Sequence, residues 1–224
     1  GNHDHWSGAD EVSRALKRAG IELLRNQNTT LTLRGERLQI VGLDDAYTAH
    51  ADRERAVKGL SPGLPSLGLS HIAEEADWLW QAGVPLVFSG HTHAGQVTLA
   101  KLNELALGKI GGHRYIHGLY GSRMRTNGGP RGAVYVGAGI GASVMPLRLG
   151  ERGRREIAIF ELGRDAPAHD EHHAEQPALP GKKPPPDLVE KRRRAVEQKM
   201  FKRELRAARA YLDVLKRTGK EPES

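Results

Sequence analysis

The stretch PLVFSGHTH, residues 85–93, joins a short apolar run to a turn that carries two histidines. The apolar run predicts a buried strand that ends at Gly90. Upstream, the stretch LGLS at residues 67–70 has the same character and ends directly before His71, and residues 73–81 between the two runs favour a helix. Strand, helix and strand in this order predict a layered α/β domain.

Further helix and strand patterns surround this unit. Ser7 is a candidate N-cap for a helix over residues 9–19, and Gly20 would end that helix. A hairpin turn is predicted around residues 34–36, between two short apolar runs. Short apolar runs predict the remaining strands at residues 21–24, 31–33, 38–43, 96–99, 133–136 and 156–162.

Length and composition set the scale of the protein. With 224 residues, of which 38% are hydrophobic, the chain is long enough for one domain with a core and an appendage. It contains no Cys, so disulfides and thiolate metal sites are excluded. No apolar run approaches the roughly 18 residues that a membrane-spanning helix needs.

Composition and charge divide the chain into four predicted parts. Residues 1–162 form the domain, residues 163–186 a linker rich in Pro and His, residues 187–217 a basic amphipathic helix, and residues 218–224 a disordered end. The formal net charge is +7, and the end of the linker together with the helix carries 13 Lys and Arg against 5 Asp and Glu. The domain itself is therefore nearly neutral, and a nucleic-acid substrate is not indicated.

The predicted basic helix has an apolar stripe at four-three-four-three spacing, made by Phe201, Leu205, Ala208, Leu212 and Leu215. An anionic membrane surface, nucleic acid or a partner helix would fit such a segment, and so would solvent alone. Of these partners we expect an anionic membrane surface and do not expect nucleic acid. About two heptads are too few to fix an oligomeric state.

Two glycine-led motifs and one single histidine carry side chains that bind divalent metals. They are GNHD at residues 1–4, His71, and GHTH at residues 90–93. Imidazole nitrogens and amide or carboxylate oxygens suit borderline-hard ions. His91 and His93 lie two apart on a loop that we expect to be extended, with both side chains on the same side. Since ligands gather at the carboxyl ends of strands in open α/β sheets, we expect the motifs to converge.

The order of these motifs is that of one large family of hydrolases. The chain resembles the calcineurin-like metallophosphoesterases, whose motifs run Asp-x-His, Gly-Asp-x-x-Asp, Gly-Asn-His-Asp/Glu, a single His and Gly-His-x-His, and it has the last three. Residues 42–45, 90–96, 115–120 and 146–148 look like the bacterial YkuE-like branch of that family. The likeness spans about residues 1–162.

This resemblance implies a fold, a reaction and a cofactor. The implied fold is an α/β four-layer sandwich, in which two facing mixed sheets are flanked by helices. The implied reaction is hydrolysis of a phosphomonoester, phosphodiester or pyrophosphate bond in a phosphorylated small molecule or lipid, with a hydroxide that bridges two divalent metal ions as nucleophile. Mn, Fe and Zn all suit the available ligands.

The resemblance also implies a role for each motif residue. Four of them would be metal ligands, namely Asn2, His71 and His91 for the second ion and His93 for the first. His3 would donate a proton to the leaving oxygen, and Asp4 would orient the His3 imidazole. A carboxylate beside an imidazole raises the pKa of that imidazole and fixes its tautomer, as a general acid requires near neutral pH.

The first two family motifs have no counterpart in the chain. They would precede Gly1, so we expect the domain to lack one or two N-terminal strands, two ligands of the first metal ion and the bridging carboxylate. The chain alone is then expected to be inactive. A signal region or anchor would lie in the same place, so the sequence leaves open a location in the cytoplasm or at the periphery of the membrane or cell envelope.

Two other functions fit the same residues. One is a degenerate, non-catalytic phosphoesterase-fold module that binds an anionic partner through its basic tail. The other is a hydrolase with a single metal ion, which is weaker because Asn2, His71 and His91 include no charged ligand. Asp44 and Asp45 come too late in the family order to replace the missing carboxylates, and each either caps a turn or lines the pocket.

Four further side chains have less defined roles. Arg148 either contacts the substrate phosphate or lies at a surface strand end. His50, His113 and His117 are expected in loops or in solvent, although the Gly-rich segment around His117 is also suited to fold over a substrate.

Overall fold

Six strands form one mixed β-sheet, on which the rest of the domain is built. This computed structural model describes residues 1–98, 102–121, 132–142, 148–162, 176–179, 201 and 205–206. The strands are β1 Gln27–Leu33, β2 Glu36–Leu43, β3 Ser66–Ser70, β4 Leu86–Ser89, β5 Gly118–Tyr120 and β6 Ala133–Val136. They lie in the order β1-β2-β3-β4-β6-β5.

Four neighbouring strands of this sheet are parallel. β2, β3, β4 and β6 run in one direction, while β1 is antiparallel to β2 at one edge and β5 is antiparallel to β6 at the other. Parallel neighbours need crossover connections, and these carry the helices that follow β2 and β3. The carboxyl ends of the four parallel strands therefore meet at the same edge of the sheet.

Short helices accompany the sheet. The α-helices are α1 Asn2–Ser7, α2 Ala9–Arg18, α3 Arg53–Val57 and α4 Ala76–Gln81. α3 belongs to the crossover from β2 to β3. α4 belongs to the crossover from β3 to β4 and follows a 3₁₀ turn at Ala73–Glu75. Two more 3₁₀ turns, at His93–Gly95 and Glu151–Gly153, and a π-helix at Glu104–Ile110 complete the described helical segments.

The central strand, helix and strand unit predicted from the sequence is confirmed. β3 and β4 lie within one residue of the predicted strands, and the predicted helix is divided into the 3₁₀ turn and α4. The helix predicted over residues 9–19 is α2, but its N-cap is Gly8, because Ser7 already ends α1. α1, α3 and β5 had no prediction.

The predicted hairpin is confirmed as the connection between β1 and β2. Leu33 pairs with Glu36, so the loop contains only Arg34 and Gly35. Both loop residues have positive φ, 52° and 84°. A two-residue loop with this backbone matches the right-handed twist of the strands that it joins, and it fixes the antiparallel register of the edge.

The core lies between α4 and the parallel strands. Leu79 of α4 is fully buried, together with Val87 of β4 and Val134 of β6. A Cβ placed on Gly68 of β3 would lie 3.1 Å from the Leu79 Cδ1 atom. The absence of a side chain at Gly68 therefore lets α4 pack closely against the middle of the sheet.

Three predicted strands are not strands in the structure. Residues 21–24 lie across the sheet, where a Cβ on Gly42 would come 2.3 Å from the Leu24 Cβ atom. The segment predicted at 96–99 makes an isolated bridge from Val97 to Leu149, and its last residue lies outside the described part. Residues 156–162 have no strand pairing among the described residues. Short apolar runs of this kind do not distinguish a paired strand from a segment that packs on a sheet.

The described residues contain a single sheet, so the second, facing sheet of the predicted sandwich is not among them. Most of the predicted linker 163–186, the predicted helix 187–217 and the predicted end 218–224 also lies outside the described residues, and these boundaries stay predictions. Within the linker, residues 176–179 return to the domain, where the Gln176 amide donates to the Leu119 carbonyl at 2.8 Å. No helix in the described part of the chain has the length and apolar character needed to cross a membrane.

Substitution of Leu79 tests the packing of α4 on the sheet. We expect Leu79→Ala to lower the free energy of unfolding by about 2–5 kcal/mol, because it removes a fully buried side chain and leaves a cavity. Leu33→Ala is the control, since Leu33 is 56% exposed at the sheet edge, and its expected change is within about 0.5 kcal/mol. Urea unfolding followed by circular dichroism measures both. Equal effects of the two substitutions would contradict this packing.

Candidate metal centre

The carboxyl edge of the parallel strands carries most of the polar side chains singled out in the sequence. β2 is followed by Asp44 and Asp45, β3 by His71, and β4 by residues 90–93. β6 is followed by the loop that begins at Gly137. The predicted convergence at strand ends is therefore confirmed for these segments, since the parallel register brings all four to one edge.

Three of the predicted metal ligands form a contiguous group. The Asn2 Oδ1 atom lies 3.0 Å from the Nε2 atom of His71. The same Nε2 atom lies 3.3 Å from the Nδ1 atom of His91. The Asn2 residue is 3% exposed, although it belongs to the short surface helix α1. Residues far apart in the sequence thus bring one amide oxygen and two imidazole nitrogens together.

The protonation state of the two imidazoles suits metal binding. Burial lowers the pKa of His71 and of His91 to about 4, and the nearby negative charge of Asp45 offsets only part of that effect. Both rings are therefore neutral at pH 7, with a lone pair on one nitrogen. The rings of Tyr47 and His113 lie 5.2 and 5.7 Å from the His91 ring and complete its surroundings.

Gly1 contributes to the centre by its lack of a side chain. A Cβ on Gly1 would lie 2.6 Å from the Cδ2 and Nε2 atoms of His71. No larger residue fits there without moving the imidazole. The glycine that leads the GNHD motif therefore allows α1 to approach His71 closely enough for Asn2 to reach it.

The turn that carries His91 and His93 is tightly wound, and the prediction of an extended loop was wrong. His91, His93 and Ala94 have φ values of 69°, 50° and 53°, in the left-handed region that residues other than glycine rarely adopt. This backbone turns the two imidazoles toward different neighbours, His91 toward His71 and His93 toward Arg148. Strained backbone of this kind is typical of functional sites, where the surrounding structure holds it.

His93 lies beside Arg148 and near His3. Its Nδ1 atom is 3.2 Å from the Arg148 Nη2 atom. Burial lowers the pKa of His93 first, and the positive charges of Arg148 and His3 lower it further. Of the four predicted metal ligands, His93 is thus the one that faces away from the group of Asn2, His71 and His91.

Arg148 organises the loop beside His93. Its guanidinium donates to the carbonyl of Ala138 at 2.8 Å, to that of Gly141 at 2.9 Å through Nε, and to those of Gly153 and Arg154 at 3.2 Å. These bonds join two loop segments through one side chain. The contacts favour the structural alternative for Arg148 over direct contact with a phosphate.

The two predicted catalytic residues lie at the surface. The His3 imidazole is exposed, and its ring centroid lies 5.0 Å from that of Trp6. The carboxylate of Asp4 is also exposed and accepts a hydrogen bond from the Gly1 amino group at 2.5 Å. His3 is therefore accessible to a molecule bound at the carboxyl edge of the sheet.

Asp44 anchors helix α1 to the end of β2. Its two carboxylate oxygens bind the Nε2 atom of His5 at 2.8 Å and the Nε atom of Arg25 at 2.9 Å. Burial would raise the pKa of Asp44, but these hydrogen bonds and the Asp45 amide outweigh burial and lower it. The His5 ring also stacks on His50 at 3.9 Å. Because Asn2 and His5 share α1, this network fixes the position of Asn2.

A second polar cluster, around Glu156, was missed by the sequence analysis. Its carboxylate binds the His117 Nε2 atom at 2.7 Å, the Tyr135 hydroxyl and the Ala138 amide at 2.9 Å. Burial alone would raise the pKa of Glu156, but these hydrogen bonds lower it to about 2. The cluster ties the loop after β6 to the segment around residue 156. Nothing in the sequence near Glu156 marks it, since its partners come from distant positions.

The comparisons with known proteins agree with a metal centre. The chain is 33% identical over 167 residues to the uncharacterized metallophosphoesterase YkuE of Bacillus subtilis, a match that covers 72% of this chain and 54% of the relative. It is 29% identical to the phosphodiesterase YaeI of Escherichia coli, over 72% of this chain and 56% of the relative. The chain belongs to the calcineurin-like metallophosphoesterases. The sequence-based identification of the family is confirmed.

A shorter match involves a third metallophosphoesterase relative. Over 84 residues the chain is 34% identical to the UDP-2,3-diacylglucosamine pyrophosphatase LpxG of Chlamydia trachomatis, which covers 38% of this chain and 25% of that protein. No family model matches this metallophosphoesterase chain, and no solved structure matches it. The chain spans about half the length of the YkuE and YaeI proteins.

The donor atoms of this metallophosphoesterase centre fit a divalent ion, as family membership implies. Two ligands of an ion bound at about 2.1 Å lie about 3.0–3.4 Å apart, and the distances from the His71 Nε2 atom to Asn2 and His91 are 3.0 and 3.3 Å. No group of three or more His, Asp or Glu side chains within the described ranges is arranged to hold a metal by itself. The fit therefore depends on the Asn2 amide, and it includes no charged donor.

Substitution of Glu156 tests the cluster beside the centre. We expect Glu156→Gln to lower the free energy of unfolding by about 1–3 kcal/mol at pH 7, because hydrogen bonds to a charged carboxylate are lost. A pKa of about 2, below the ordinary 4.5, means that the wild-type contribution is complete above pH 4.5 and is lost as the pH falls toward 2. The difference between the two proteins should narrow over that range.

Urea unfolding at pH 7, 5 and 3 measures this difference. Glu151→Gln is the matched control, since Glu151 is exposed on the neighbouring 3₁₀ turn, and we expect a change within about 0.5 kcal/mol at each pH. A gap between Glu156→Gln and wild type that stays constant down to pH 3 would show that the charge of Glu156 does not stabilise the fold.

Proposed function

We propose that this chain forms part of a two-metal centre that hydrolyses a phosphomonoester, phosphodiester or pyrophosphate bond. The observation that carries the proposal is the convergence of Asn2, His71 and His91 at the carboxyl edge of the parallel strands, with donor atoms 3.0 and 3.3 Å apart. Membership in the metallophosphoesterase family supports this reaction class. The exact bond is a matter for experiment.

In this proposal the motif residues divide between two ions. Asn2, His71 and His91 hold one ion, and His93, which faces a different direction, contributes to the other. Such ions, of Mn, Fe or Zn, supply activation of water and neutralise the phosphoryl oxygens. The two buried imidazoles remain neutral at pH 7 and thus need no deprotonation before they bind.

His3 acts on the leaving group in the same proposal. Its exposed imidazole lies near His93, whose pKa it influences, and so it can reach a substrate at the edge of the sheet. There it donates a proton to the departing oxygen, which would otherwise leave as an unstable anion. Asp4, one residue on in α1, orients the imidazole and stabilises its protonated form.

The proposal extends to the substrate, the fold and the tail. A phosphorylated small molecule or lipid is the proposed substrate class, which the name of the LpxG relative supports. The six-stranded sheet is proposed to be one of two facing sheets of a four-layer sandwich. The basic segment 187–217 is proposed to bind an anionic membrane surface and to place the protein at the membrane periphery, with its excess of Lys and Arg as the supporting feature.

Hydrolysis assays test the proposed reaction. The substrates are p-nitrophenyl phosphate and bis-p-nitrophenyl phosphate with added Mn²⁺, and the proteins are this chain, the product of the complete gene, and His3→Ala in that product. We expect metal-dependent activity in the complete product and a loss of about 10²–10⁴-fold with His3→Ala. His169→Ala, in the predicted linker, is the matched control and should retain activity.

The outcomes separate the reaction from its details. Absence of metal-dependent hydrolysis in the complete product would overturn the enzymatic function and favour the binding module. Full activity of His3→Ala would overturn the role of His3 alone.

A further inference from the structure

One buried carboxylate oxygen at the centre has no role in the contacts described so far. Asp45 follows Asp44 at the end of β2 and is 2% exposed. Its Oδ2 atom accepts a hydrogen bond from the Thr48 amide at 2.7 Å, which closes the turn after the strand. Its Oδ1 atom is buried and has no hydrogen-bond partner within the part of the chain that the structure describes.

Such an oxygen needs a physical explanation. Buried polar atoms are nearly always paired, and a buried charge without a partner is strongly destabilising unless a cation or a donor faces it. The hydrogen bond at Oδ2 satisfies the turn and leaves Oδ1 available. The unpaired atom therefore points to a partner other than the described protein groups.

The position of Asp45 shows where that partner would lie. Asp45 lines a groove of about 620 Å³ together with Gly1, Ser70, His71 and Gly90, residues that surround the candidate metal centre. Its negative charge acts on both His71 and His91, whose pKa values it raises against the effect of burial. The carboxylate is thus close to both imidazoles of the centre.

The chemistry of the centre calls for a negative charge. Asn2, His71 and His91 are all neutral donors, and three neutral donors leave the charge of a divalent ion uncompensated in a buried site. Asp44 does not supply that charge, because both of its oxygens bind His5 and Arg25. Among the acidic side chains that line the groove, Asp45 combines burial with a free oxygen.

We propose that Asp45 is a metal-binding residue of this centre, with its Oδ1 atom facing the cation held by Asn2, His71 and His91 and its Oδ2 atom remaining on the Thr48 amide. The proposal rests on the proposed function, since it assumes that a divalent ion binds there. It assigns to one carboxylate both the turn after β2 and the charge balance of the centre.

Binding of Mn²⁺ to the full chain tests this role. Asp45→Asn keeps the size of the side chain and an oxygen for the Thr48 amide but removes the charge. We expect it to weaken Mn²⁺ binding about 10- to 100-fold, measured by isothermal titration calorimetry and by loss of the free Mn²⁺ signal in electron paramagnetic resonance. In EDTA its melting temperature should be no lower than that of wild type, because a buried unpaired charge is removed.

Asp52→Asn is the matched control. Asp52 also accepts a hydrogen bond from an amide three residues on, that of Arg55 at 3.1 Å, but it is exposed at the start of α3. The same substitution there removes one negative charge and leaves the centre intact, so Mn²⁺ affinity should change less than about twofold. Asp45→Ser, whose hydroxyl can still accept from Thr48, provides a second test if Asp45→Asn does not fold.

The possible results distinguish this inference from the proposed function. Wild-type affinity in Asp45→Asn, with a lower melting temperature in EDTA, would overturn the metal role and leave Asp45 as a turn cap. Equal weakening in Asp45→Asn and Asp52→Asn would overturn it as well, since the effect would be one of overall charge. Absence of Mn²⁺ binding to wild type, with no further change in His71→Ala, would overturn the proposed centre itself.

Discussion

The parallel register of β2, β3, β4 and β6 is the constraint on which the rest of the structure depends. It places the ends of strands from four separate parts of the chain at one edge, where Asp45, His71 and His91 come into proximity. Burial of Leu79 against Gly68 holds the helix that makes one of these crossovers. A change of register by one residue would move each of these side chains to the other face of the sheet.

Charge balance links the packing of the centre to its chemistry. Burial keeps His71 and His91 neutral, which prepares them for a cation but deprives the centre of any charge of its own. Two carboxylates follow β2, and the structure separates their roles. Asp44 positions α1 through His5 and Arg25, while Asp45 retains an unpaired oxygen at the groove. Adjacent residues of the same type thus serve as an anchor and as a candidate ligand.

Much of the fold was predictable from local patterns, and the failures have a common cause. The hairpin around Gly35 and the unit from β3 to β4 followed from apolar periodicity and turn residues. The predicted strand at 156–162 failed because an apolar run does not show whether it has a strand partner. Short elements such as α1 and β5 escaped prediction, since six or three residues carry too weak a periodic signal.

The sequence by itself determined the family and the identity of the candidate ligands, because both depend on motifs whose residue types and order can be read directly. Only the tertiary structure decided the directions of His91 and His93, the anchoring role of Asp44 and the Glu156 cluster. These depend on backbone angles and on partners tens of residues away. Contacts between distant segments arise from the packing of the sheet, and no local pattern records them.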